Sequence, residues 1–190
     1  MKNILLLGVA RSGKSTLAKK IIEKYPDYKV LDLDSILDAF AETFPGVNVG
    51  YAYDGVKNNQ IAKFIGSLLK WQVKNHGEKY FNYIIDGDSI LPEDIENNFD
   101  LANTIVLFLG HNKLTPEEIV TNCRKYDNGL SWSSRWDDKK LTEHAKWQIN
   151  FGTKIEKQCN KYKYRFVDTS FNRNEILEKE FKKIEKELEK

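Results

Sequence analysis

The chain is poor in cysteine, poor in arginine and close to neutral, and each shortage excludes something. Two cysteines, Cys123 and Cys159, show no CxxC spacing. With no secretory signal, the expected home is a reducing cytoplasm and no disulfide is expected. The N-terminal apolar run Ile4-Leu5-Leu6-Leu7 is too short for a signal core or a membrane span, so no membrane role is expected. Thirty basic residues against 28 acidic ones leave a formal charge of +2, without the basic excess of a dedicated nucleic-acid binder. Lysines thicken toward the C-terminus but alternate with glutamates, the pattern of a solvated helix face. The five arginines are Arg11, Arg124, Arg135, Arg165 and Arg173, and none lies between Arg11 and Arg124.

What is present alternates between two periods. Residues 3–8 are apolar on both faces, as in a central parallel strand. Lys14 to Tyr25 then places Leu17, Ala18, Ile21, Ile22 and Tyr25 on one helical stripe, broken by Pro26 and Asp27. Further strands are expected at 28–33, 81–85, 104–109 and 164–167, and helices at 35–43, 57–75, 115–125, 141–161 and 175–190. Thr115-Pro116-Glu117-Glu118 is a helix start, with Pro in the first turn and a capping-box Glu. Residues 44–55 read as loose chain, and 127–140, polar and rich in Trp and Ser, as a mobile loop. Strands alternating with helices predict one α/β domain over 1–190, a three-layer α/β/α fold on a five-stranded parallel sheet.

The strongest local signal is Gly8-Val9-Ala10-Arg11-Ser12-Gly13-Lys14-Ser15, a match to GxxxxGK[ST]. At average residue frequencies the pattern arises by chance less than once in ~100 chains of this size. It follows a strand and opens a helix, as its mechanism requires. The glycines let backbone N–H groups wrap phosphates, and the helix N-terminus adds partial positive charge. Lys14 is expected to reach the β- and γ-phosphates of a nucleoside triphosphate, and Ser15 to ligate Mg²⁺. Gly8, Ala10, Arg11, Ser12, Gly13 and Thr16 complete the expected nucleotide contacts.

Two acidic pairs fall at expected strand ends, Asp32/Asp34 and Asp86/Asp88. Ligands of parallel α/β sheets gather there. An i, i+2 spacing on extended chain puts both carboxylates on one side, so one can serve Mg²⁺ while the other takes a proton from an acceptor hydroxyl. Asp34 is the expected base, and Asp32 and Asp86 the expected metal-associated groups. A helix cap at Asp34 and a turn at Asp86-Gly87 compete with that assignment. A phosphate-bearing acceptor calls for clamping arginines, yet between the second and third strands only Lys57, Lys63, Lys70, Lys74 and Lys79 are offered. Arg124 just before the 127–140 loop and Arg135 within it are expected to close over the triphosphate.

Weaker signals remain. His76, His111 and His144 share no metal-ligand spacing and are expected at the surface or satisfied. Trp132 and Trp136 are expected to pack on bound substrate, Trp147 to join the core, and Arg165, inside a strand, to pair structurally. Tyr51 and Tyr53 fall in the expected acceptor region.

On these residues the chain resembles the nucleotide and small-molecule branch of P-loop kinases, which holds adenylate, shikimate and gluconate kinases. Asp32-Leu33-Asp34 resembles the DxD of shikimate kinases, whose first Asp is tied to Mg²⁺ and whose second contacts the acceptor hydroxyl. Ile84-Ile85-Asp86-Gly87 resembles a strand end of adenylate kinases, but continues Asp88-Ser89-Ile90 where those read Phe-Pro-Arg. That departure argues against a nucleoside monophosphate acceptor. Arg124 and Arg135 resemble lid arginines, and Val167-Asp168-Thr169-Ser170 is similar to the segment meeting the base, which adds Asp168 and Thr169 to the nucleotide contacts. The resemblance implies sheet order 2-3-1-4-5, an acceptor-binding insertion at about 35–78 and a lid at about 124–140. The expected activity is ATP- and Mg²⁺-dependent phosphoryl transfer to a small-molecule hydroxyl. A nucleotide-dependent switch or NTPase without acceptor, a nucleoside monophosphate kinase and a polynucleotide kinase remain as alternatives.

Overall fold

The structure, a computed structural model, describes residues 2–47, 56–77, 82–127, 129 and 131–189, with no side-chain description for 56–59. Tyr51, Tyr53, Lys57 and Lys79 therefore lie outside what it describes as side chains.

Strand β1 (Asn3–Gly8) forms the middle of a five-stranded sheet, because its side chains find apolar partners on both faces. Ile4, Leu5, Leu6 and Leu7 are all fully buried. The remaining strands are β2 (Tyr28–Asp32), β3 (Asn82–Gly87), β4 (Thr104–Gly110) and β5 (Arg165–Asp168). They pair in the order β2-β3-β1-β4-β5, every pair parallel, as expected.

The helices are α1 (Lys14–Lys24), α2 (Leu33–Thr43), α3 (Val56–His76), α4 (Pro92–Asn98), α5 (Pro116–Lys125), α6 (Asp138–Tyr162) and α7 (Arg173–Leu188). They divide between the two sheet faces by the period-2 rule. Ile4 and Leu6 meet Leu17 and Ile21 of α1 and Leu177 and Ile184 of α7. Leu5 and Leu7 meet Leu37 of α2, Ile61 and Ile65 of α3, Ile95 of α4 and Ile155 of α6. Each such aliphatic side chain contributes about 1.5–3 kcal/mol by leaving water. Arg165 pairs with Glu180 and Glu187 of α7, the structural role expected of it.

Three departures matter. β2 stops at Asp32, so Asp34 lies in the first turn of α2 and not on extended chain. The geometric argument from i, i+2 spacing therefore fails for that pair. Helix α4 was not expected; Pro92 opens it and Asp94 accepts a hydrogen bond from the Leu91 N–H at 3.1 Å. The 127–140 segment contains a 3₁₀ turn at Trp132–Arg135 before α6 begins at Asp138.

Candidate functional site

Where β1 passes into α1, the chain turns through two positive-φ glycines, Gly8 (φ 116°) and Gly13 (φ 108°). A Cβ on Gly8 would stand 2.0 Å from the Leu109 carbonyl oxygen, so only glycine fits there. Arg11 adopts φ 61° between them, a left-handed conformation costing a non-glycine residue about 1–2 kcal/mol. The N-terminus of α1 has no side-chain cap and no acidic residue in its first turn. Its N–H groups and partial positive charge thus face the loop without an internal anion.

The loop is braced from within and below. Ser12 Oγ donates to the Val9 carbonyl at 2.8 Å. Lys14, nearly buried, donates from Nζ to the Gly8 and Val9 carbonyls at 2.8 and 2.9 Å. Thr169 Oγ1 hydrogen-bonds the Ser12 and Gly110 carbonyls at 2.8 and 2.9 Å, so the β5 end holds the loop in place.

The acidic groups collect on the β2–β3 side. Ser15 Oγ donates to Asp86 Oδ2 at 2.7 Å, bringing two oxygens of the kind a hard divalent cation prefers to one point beside the loop. Burial raises the Asp86 carboxyl above its ordinary range, while Lys14 and the Ser15 hydrogen bond pull it back. Asp32 caps α2: its carboxylate accepts from the Asp34 and Ser35 N–H groups at 3.3 Å and from Ser35 Oγ at 2.5 Å. The capping role foreseen for Asp34 belongs to Asp32, which leaves Asp34 clear of it. Asp34 is pushed up to about 6, first by desolvation and then by Asp88 and Asp32. Its side chain still reaches solvent, so the neighbouring carboxylates, which act across the opening, are part of the explanation.

On the β4–β5 side lies a cavity of ≈ 720 Å³, lined among others by Arg11, His111, Asn122, Tyr126, Asn172 and Arg173. His111, expected at the surface or satisfied, is buried and half satisfied: its side chain hydrogen-bonds Gln148, while its Nε2 has no hydrogen-bond partner among the described residues. Burial holds the imidazole down at about 4. Asp168 Oδ1 accepts from the Ser170 N–H at 2.9 Å, and its Oδ2 is buried without a described partner. Arg173 reaches Thr16 Oγ1 at 3.4 Å, adding a second arginine beside Arg11 to this half of the site; nothing in its local sequence marked it.

The segment after α5 is tied to the loop through Arg11. Arg11 Nη2 donates to Ser131 Oγ at 2.9 Å and to Ser133 Oγ. Asp127 accepts from Ser134 and Ser131 and is held down at about 2, chiefly by the Ser134 hydrogen bond. Arg124 is committed to the segment's own frame. It pairs with Asp138 at 2.7 Å and donates to the Ser133 and Trp136 carbonyls at 3.1 and 2.7 Å. Arg135 is exposed. Trp132 and Trp136 stand edge-on to each other and to His144, and Trp147 is stacked between His144 and Phe151.

No protein-family model and no curated protein matches the chain. Solved structures do. A shikimate kinase from Bacteroides thetaiotaomicron superposes with TM-score 0.55 at 17% identity, over 100% of this chain and 99% of that one. A gluconokinase from Sinorhizobium meliloti 1021 superposes with TM-score 0.55 at 16% identity, over 93% and 87%. The fold is thus the three-layer P-loop kinase-like fold. Among the described residues no helix is long and apolar enough to cross a membrane.

Proposed function

We propose that the protein is a kinase that moves the γ-phosphoryl group of ATP to a hydroxyl of a small molecule. The observation that carries this reading is the joining of the loop to an acidic wall. Ser15 and Asp86 meet at 2.7 Å beside Lys14, and the raised carboxyl of Asp34 shares the same cluster. Ser15 and Asp86 fit a hard divalent cation, whose chemistry when bound would be to neutralise phosphate charge; the Asp32 carboxylate, expected to share that role, is taken up in capping α2.

The base and ribose of ATP occupy the cavity beside His111, Tyr126 and Asn172, whose lining includes Thr169, the neighbour of Asp168. The N–H groups of 8–16 and Lys14 hold the phosphates, and Arg135 with the Arg124-braced lid adds positive charge as the phosphoryl group moves. Asp34 takes the proton of the acceptor hydroxyl. The acceptor oxygen bonds to the γ-phosphorus, the bond to the ADP oxygen breaks, and ADP leaves with that electron pair.

Mass-spectrometric detection of phosphorylated acceptor, run beside ATP turnover with and without acceptor panels, tests this. Acceptor-dependent turnover that Asp34→Asn abolishes is expected. Hydrolysis that ignores both acceptor and Asp34→Asn overturns the kinase reading and leaves a nucleotide-dependent switch or NTPase.

A further inference from the structure

His111 stands apart from the other polar residues that line the cavity on the β4–β5 side. It is 4% exposed, and its Nε2 has no hydrogen-bond partner among the described residues. Asn122, Asn172 and Asn174 on the same lining are exposed and can turn to water. His111 cannot. A buried nitrogen without a partner is a cost that a bound ligand removes by supplying one.

The state of the ring is set from α6. Gln148, 1% exposed, meets His144 Nε2 with its side-chain nitrogen at 3.2 Å and also hydrogen-bonds the His111 side chain. An amide nitrogen can only donate, so the amide oxygen is left for His111 and accepts from it. With Nε2 unpartnered, the donor is Nδ1–H, and an imidazole protonated there presents Nε2 as a bare acceptor. Burial holds the ring down at about 4, which keeps it neutral near pH 7.

A ligand of this cavity must therefore bring a hydrogen-bond donor to the end of β4. Phosphates and the ring nitrogens of adenine only accept; the donors of ATP are the exocyclic amino group and the ribose hydroxyls. The buried members of the lining are His111, Ile119, Cys123 and Thr169, and the Thr169 hydroxyl is already bonded to the Ser12 and Gly110 carbonyls. Apart from His111, the inner end is thus apolar or satisfied, which suits a flat base, while sugar hydroxyls suit the exposed asparagines.

We propose that His111 selects the base: its Nε2 accepts a hydrogen from the exocyclic amino group of adenine, and Gln148 is a positioning residue that keeps the ring in the accepting tautomer. This rests on the cavity taking the nucleotide, as in the kinase reading above. An oxo purine brings an oxygen lone pair to the same nitrogen and is rejected.

Three β,γ-imido triphosphates test it: those of adenosine, of purine riboside, with hydrogen in place of the amino group, and of inosine, with oxygen there. Their Kd values are measured by calorimetry with Mg²⁺. The adenosine compound is expected to bind about tenfold tighter than that of purine riboside, the worth of one hydrogen bond, and the inosine compound weakest. His111→Leu is expected to erase these margins. Gln148→Leu is expected to narrow the one between adenosine and inosine, because the freed ring can take the other tautomer. A merely structural role would move all three constants together, so the ratios are the readout. The parent protein carries the test by itself if a variant fails to fold. Equal affinity for the adenosine and purine riboside compounds, preference for inosine, or margins that His111→Leu leaves in place overturn the proposal. Affinity lost with a ribose hydroxyl and not with the amino group moves Nε2 to the sugar and overturns it as well. Adenosine-selective binding with no phosphorylated product from ATP keeps His111 as base reader and removes the kinase reading instead.

Discussion

The two halves of this site, proposed above to take nucleotide and acceptor, are built on opposite principles. The β4–β5 side is backbone and cation: turning glycines, a helix N-terminus, Lys14, Arg11 and Arg173. The β2–β3 side is side-chain carboxylate: Asp32, Asp34, Asp86 and Asp88. Backbone geometry can be shared by any chain that must hold phosphate, and the fold superposes on two kinases at 16% and 17% identity while no family model matches.

The sharpest way to separate the halves is to disable one at a time. Asp34→Asn keeps the size of the side chain and removes the proton acceptor; kcat is expected to fall about 10²–10⁴-fold with the KM for ATP little changed. A matching rise in that KM means Asp34 belongs to the nucleotide side and the division is wrong. Lys14→Met should cost about 10²–10³-fold in kcat/KM, the range for one preorganised donor to developing charge. Acceptor binding measured by calorimetry should survive that change. Its loss would mean that the lysine also orders the acidic half.

Titration provides a third test. Asp34, pushed up to about 6, is a base only above that pH. The rate should therefore fall about tenfold per pH unit below ~6 and be flat above it. A limb near the ordinary carboxylate value would remove the raised Asp34 from the mechanism.

How far the sequence carried these features follows the same division. The loop, the alternation of strands with helices and the inward stripes of α1 and α7 were legible because each depends on local spacing, GxxxxGK[ST], period 2 and period 3.6, whereas the sheet order came from the family resemblance. Asp86 was legible by its place at a strand end. Asp34 was picked out for a wrong geometric reason, since Asp32 ends the strand and the helix turns at once. The ring wall was half seen, as Trp132 and Trp136, but His144 and Trp147 arrive from α6, and no local pattern records that meeting. Arg11 reads as loop backbone, yet its guanidinium fastens the lid serines more than a hundred residues away. Arg124 reads as a catalytic lid arginine, and its partners are the lid's own carbonyls and Asp138. Long-range pairing is set by the fold, so a single chain without its packing cannot announce it.

The smallest expected effect contrasts the halves through stability. His111 is held near 4 by burial, against an ordinary 6.5. The unfolded chain therefore binds a proton that the folded one refuses. Stability is lost as pH falls from about 6.5 toward 4, by about 3 kcal/mol at its limit. Asp34 has the reverse sign. Its folded carboxyl binds a proton near 6, whereas the unfolded one waits until about 3.8, so folding gains as pH falls through that interval and is penalised above it. Denaturant midpoints between pH 4 and 7.5 should thus show His111→Gln flattening the acid loss. Asp34→Asn should be modestly more stable than the parent at pH 7 and converge with it near pH 4. The Asp34 effect is the smaller because that side chain reaches solvent while His111 does not. Asp34→Asn destabilised at pH 7 would mean that the carboxylate is held by favourable partners, and the acidic half would then be a structural cluster with no strain kept for chemistry.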